Sequence, residues 1–120
     1  MENKRYTDLT YLKTISRGND EFLLKVIHTF ISQVRSDLDK IQQYMDEKKW
    51  DSIHFIAHKI KPSFQFVGIK ALEEVIVNIE TYAKEQNNLD LLPPLVFQLT
   101  SIYEASVEEL NEEEKKILST

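Results

Sequence analysis

Cysteine is absent from the 120-residue chain, and with it go disulfides, thiolate nucleophiles and cysteine-built zinc sites. A reducing compartment is compatible with that. Glycine and proline are scarce, at two and three residues, too few for the many tight turns of a multi-stranded sheet. No uninterrupted apolar run approaches the ~18 residues that span a bilayer, and residues 1–6 are polar where a signal peptide would be apolar. The chain is therefore expected to be soluble and cytoplasmic, with no membrane association. A net charge of −5 disfavours nucleic acid as a partner, because phosphate backbones select a basic surface. There is no glycine-rich nucleotide loop, which argues against direct use of ATP.

What is present is an apolar content of 42%, together with abundant Leu, Ile, Glu, Lys and Gln. That suits one domain over residues 1–120 with a single core and an all-α fold. Helical periodicity divides the chain into five segments. A short first helix over 7–16 carries Leu9, Leu12 and Ile15 and stops at Gly18. Asn19 or Asp20 caps a second, running to about residue 48, with Leu23, Val26, Phe30, Val34, Leu38, Ile41 and Met45 in one apolar stripe. A third begins at Trp50 or Asp51, with Ile53, Ile56, Ala57, Ile60, Phe64 and Val67 as its core face and Gly68 ending it. A fourth covers 69–86 with Leu72, Ile76, Ile79 and Ala83, and stops at Asn87 and Asn88. The fifth starts near residue 90, tolerates Pro93 and Pro94 only in its first turn, and continues through Leu95, Leu99, Ile102, Ser106 and Leu110. Four long amphipathic helices with short connections predict an antiparallel up-down-up-down bundle with the short helix as a lid. The acidic stretch over 108–114 reads as a solvated helix face.

Chemistry concentrates on the third helix. At 100° per residue, His54, His58, Lys61 and Gln65 form a narrow polar stripe clear of the core face. An exposed imidazole titrates near ~6.5, so a neutral ring with a nucleophilic nitrogen is available at physiological pH. His58 stands ten residues before Gly68 and Glu80 twelve after it. Folding the two helices back on each other puts them within about 3 Å in height. A Glu80 carboxylate accepting from the His58 Nδ1–H would fix the tautomer, leave Nε2 as nucleophile and offset the charge the ring gains on phosphorylation. Lys61, one turn further along the stripe, would neutralise phosphoryl oxygens.

The run Ala57-His58-Lys59-Ile60-Lys61-Pro62-Ser63, closed by Gly68, resembles the phosphorylation-site motif of histidine-containing phosphotransfer (HPt) domains. The resemblance covers residues 7–83, with the last helix matching only in character. It implies a helical bundle, a phosphoryl carrier and not an enzyme, and a place in two-component phosphorelays. Residue by residue, His58 corresponds to the phosphorylated histidine, Lys61 to the lysine three after it, Gly68 to a small residue that lets two helices pack closely, and Glu80 to the group that orients the imidazole. Pro62 departs from the pattern, where glycine is common, and a proline there leaves the His58 carbonyl without its helical donor. The implied partners are response-regulator receiver domains and hybrid sensor kinases. Mg²⁺ is expected on the receiver, with no cofactor and no metal bound by this chain, which is expected to be a monomer.

Plainer readings stand beside these. Lys59 either adds diffuse positive field at the site or is a solvated charge; Glu80 has Lys84 four residues on as an alternative partner; Gly68 is also an ordinary turn residue. His54 flanks the site, and a His54–His58 metal pair lacks further ligands. His28 has no comparable neighbours and reads as structural or solvated. Phe55 and Phe66 fall off the core stripe, so they either pack beneath the first helix or form an exposed patch where a partner docks, with Leu9, Leu12 and Ile15 as further candidates. The rival function is a helical adaptor that binds a receiver without taking its phosphate. A kinase dimerisation hairpin would need a nucleotide-binding domain, for which the chain has no room.

Overall fold

The computed structural model describes residues 5–119; the polar residues 1–4 and Thr120 lie outside the described residues. Within them the fold is all-helical, with no strand. The helices are α1 (Thr10–Ser16), α2 (Asp20–Asp46), α3 (Trp50–Phe66), α4 (Glu73–Glu85) and α5 (Leu92–Leu118), with single 3₁₀ turns at Lys70–Leu72 and Leu89–Leu91 leading into the last two. α2 packs on α3, α3 on α4, α4 on α5 and α5 back on α2, so four helices close a ring around one core while α1 lies against α2.

The expected stripes supply that core. Leu23, Phe30, Val34, Leu38 and Ile41 of α2, all six predicted positions from Ile53 to Val67, and Leu72, Ile76, Ile79 and Ala83 are buried. Val26 and Met45 lie at its edge, and Ile27 takes a central place that the stripe reading passed over. In the middle, Phe30 meets Phe64 edge-on, with ring centroids 6.1 Å apart, and also contacts Tyr103. The Tyr103 hydroxyl would be costly to bury unpaired; it donates to the Ile31 carbonyl at 2.5 Å.

Caps explain most boundaries. Asn19, not Asp20, caps α2, its side chain accepting from the Phe22 N–H at 3.0 Å. α1 closes at Arg17, already left-handed at φ 51°, one residue before the expected Gly18. It also starts later than expected. Thr7 and Asp8 are not helical because their backbone donors are used elsewhere: Glu109 of α5 accepts from the N–H groups of Tyr6 and Thr7 and from the Thr7 hydroxyl, at 2.9, 2.8 and 2.6 Å. The Asp8 N–H donates to the Val67 carbonyl at 3.0 Å. Residues 5–9 thus form a strap from α5 to the α3–α4 turn.

The same contacts correct the reading of residues 108–114 as a solvated face. Burial opposes ionisation of Glu109, but the bonds from Thr7 and Tyr6, with Arg5 nearby, outweigh it and hold its carboxyl below the usual range. Glu113 is buried and meets Arg5, Lys13 and Lys116, while Glu114 pairs with His28. Three of these acids are therefore ties between α5 and the elements packed on it. No helix of the described residues is long and apolar enough to cross a membrane.

Candidate functional site

Burial of Ile53, Ile56, Ala57, Ile60 and Phe64 fixes the rotation of α3, and that rotation turns His54, His58 and Lys61 toward the flank shared with α4. The His58 side chain is 69% exposed, whereas that of Glu80 is only 13% exposed. The Glu80 carboxylate bridges two partners. Its Oε2 lies 2.5 Å from His58 Nδ1 and its Oε1 accepts from Lys61 Nζ at 2.9 Å. Lys84, the alternative partner, forms no ion pair with it.

A carboxylate only accepts, so the His58 proton sits on Nδ1 and the Nε2 lone pair faces solvent. Burial works against ionisation of Glu80, yet the hydrogen bonds and charges of Lys61 and His58 prevail and depress its pKa. The result is an ionised acceptor behind an exposed nucleophile, with an ammonium beside it. His54 joins from one turn back: its Nδ1–H donates to the Glu80 backbone carbonyl at 3.1 Å, and its ring stacks on His58 with centroids 6.3 Å apart and planes at 27°.

The remaining sequence candidates are placed differently. Gln65 is exposed and lines a shallow cleft with Tyr11, Pro62 and Phe66, away from the imidazole. Gly68 is needed for a reason other than close packing of α3 on α4. Its φ is +65°, and a Cβ there would lie 2.3 Å from the Asp8 carbonyl oxygen, so the glycine makes room for the strap. Lys59 does not point its charge at His58; its Nζ is 3.1 Å from Asp37 Oδ1 on α2. Pro62 lies inside α3 on an exposed face. His28, read as having no comparable neighbours, packs its Nε2 against Glu114.

Asp37 was missed. It is fully buried, and its Oδ2 has no hydrogen-bond partner. The signal was there: an acid between Val34, Leu38 and Ile41 on an apolar stripe needs a cation opposite. Lys59→Met leaves that carboxylate buried and unpaired and is expected to cost about 2 kcal/mol in urea unfolding. Adding Asp37→Leu should restore most of the loss, whereas a double variant no more stable than Lys59→Met would contradict the pairing.

Among the described residues, no three metal-ligating side chains come together. A family model described as Hpt domain matches residues 25–109. The chain belongs to the Hpt domain family. The matched region opens in α2 and ends at Glu109 in α5, so most of the last helix is within the match and α1 is outside it, unlike the 7–83 span expected from the motif. No curated protein and no solved structure matches the chain. Hpt domains are helical bundles that act as phosphocarriers, transferring phosphoryl groups on histidine and interacting with receiver domains in phosphorelays.

Proposed function

We propose that the chain, as one domain over residues 1–120 with its four long helices alternating up and down, reversibly carries a phosphoryl group on His58 Nε2 between receiver aspartates. The observation that carries this reading is the single Glu80 carboxylate held by both the His58 ring and the Lys61 ammonium. His58 Nε2 attacks phosphorus, the bond from phosphorus to the receiver's aspartyl oxygen breaks, and that carboxylate leaves with the electron pair. The Nδ1–H stays on the ring, and the positive charge gained is offset by Glu80. Lys61, already beside the ring, neutralises phosphoryl oxygens; Mg²⁺ bound by the receiver does the same from the other side. Return transfer runs through the same contacts.

The docking face follows from what is exposed beside the imidazole. Phe55 and Phe66 are 58% and 42% exposed, and Tyr11 places its ring 5.9 Å from that of Phe66. Leu9 and Leu12 are buried and drop out, while Ile15 stays exposed. An aromatic strip next to a polar histidine stripe suits a receiver whose rim is acidic and whose centre is apolar. In this reading the protein works in the cytoplasm as a monomer, with receivers or a hybrid sensor kinase as partners and no nucleic acid.

The test is a relay with purified receivers. Labelled phosphate on one receiver should pass to this protein as an acid-labile, alkali-stable adduct and then to a second receiver. Binding of the receiver with no label transferred would replace the carrier with an adaptor.

A further inference from the structure

Glu80 is tied to α3 at three atoms. His58 and Lys61 hold its carboxylate, and His54 holds its backbone carbonyl. The last tie settles which way the His54 ring faces. A carbonyl only accepts, so His54 carries its proton on Nδ1 and its Nε2 is an open lone pair. Both histidines thus turn Nδ1 toward α4. With their planes at 27°, both Nε2 atoms project from the opposite edges, on the same side. A phosphoryl group bonded to His58 Nε2 would project from the same edge of the pair as His54 Nε2, with the ring centroids 6.3 Å apart.

We infer that His54 is a positioning residue for Glu80 and a proton-linked neighbour of the phosphoryl group: when His58 is phosphorylated, His54 takes up one proton at Nε2 and donates it in a hydrogen bond to a phosphoryl oxygen. The inference rests on the carrier function proposed above and adds regulation of the same site by pH. In the coupled step the receiver's P–O bond breaks, the Nε2–P bond on His58 forms, and one proton comes from solvent to His54. A phosphoryl group adds about −1.5 to −2 charge, and an adjacent anion favours the charged imidazole. His54 meets His58 and the backbone carbonyl of Glu80, and helical spacing makes Asp51 and Lys61 along α3 and Lys84 on α4 the next charged groups on that flank. The Lys59–Asp37 pair to α2 lies on the other flank of α3. Resting Lys61 is occupied by Glu80, so a second donor that appears only with the phosphoryl group is chemically distinct from it. Acid then favours retention on this protein and alkali favours release.

The experiment measures the equilibrium distribution of phosphate between this protein and one receiver at about pH 6 and about pH 8.5, for wild type, His54→Asn and His54→Ala. Asparagine places an amide N–H where Nδ1–H stood but does not titrate. The equilibrium constant for wild type relative to His54→Asn is expected to be about tenfold in favour of this protein at the acid pH and near unity at the alkaline one. His54→Ala should also slow acceptance at both pH values, with His54→Asn restoring the rate. A ratio that does not change with pH overturns the proton linkage, and an unslowed His54→Ala overturns the positioning role. A resting His54 with its proton on Nε2 by ¹⁵N NMR overturns both, whatever the phosphate does. Wild type that takes no phosphate at any pH instead overturns the carrier function and this inference with it.

Discussion

His58→Gln is expected to take up no phosphate from a phosphorylated receiver while folding as the wild type does. Glutamine's amide nitrogen shares its lone pair with the carbonyl and is no nucleophile, so substitution removes the reacting atom and not merely its support. The other two histidines do not replace it. His54 has no carboxylate on its ring, since its Nδ1 is bonded to a backbone carbonyl. His28 has Glu114 but sits on α2, with its pair formed to α5 and no lysine on that carboxylate. Stability should move by no more than about 0.5 kcal/mol, because the side chain is 69% exposed. Intact mass at neutral pH, before acid hydrolyses any adduct, reads the loss directly. Residual phosphate at wild-type level on His58→Gln would mean that another residue carries the chemistry.

Gly68→Ala should damage the fold strongly, at about 3 kcal/mol or more. Holding alanine at a left-handed φ costs roughly 1–2 kcal/mol, and forcing a methyl into occupied space costs about 1–3 kcal/mol more. That space is filled by the Asp8 carbonyl oxygen, 2.3 Å from the position of the new Cβ, and by Asp8 Cβ at 2.8 Å. Relief requires the strap to lift, which breaks the Asp8 bond to Val67 and strains the three bonds to Glu109. The midpoint of thermal unfolding is expected to fall by about 10 °C. Gly18→Ala is the matched control: its φ is +80° but nothing lies within 4 Å of the added methyl, so only the backbone term, the same roughly 1–2 kcal/mol, applies. Equal losses for the two variants would show that the contact with Asp8 contributes nothing.

The contrast between these two glycines marks where reading the chain succeeds and where it stops. Helical phase and a single turn were enough to bring His58, Lys61 and Glu80 together, because 1.5 Å and 100° per residue act over one hairpin. Phase alone also set Phe55 and Phe66 off the core stripe, but it did not decide between packing beneath the first helix and exposure, and the structure leaves both exposed. Contacts between segments distant in sequence were not legible in the same way. The strap joins residues separated by about a hundred positions, and no local pattern announces that Glu109 will hold Thr7. For the same reason 108–114 looked like an ordinary charged face and His28 looked solitary. Asp37 is the intermediate case, since an acid within an apolar stripe announces a buried partner without saying which lysine supplies it. Lys59, next to His58 in sequence, was credited to the site when its side chain leaves α3 on the other flank.

The most direct test of the account is ¹⁵N NMR of the histidine rings, with site mapping by mass, before and after treatment with phosphoramidate at neutral to alkaline pH. The account predicts one phosphate, on Nε2 of His58, with the proton on Nδ1 retained against Glu80. Phosphate on Nδ1, or labelling spread over His28 and His54, would contradict it.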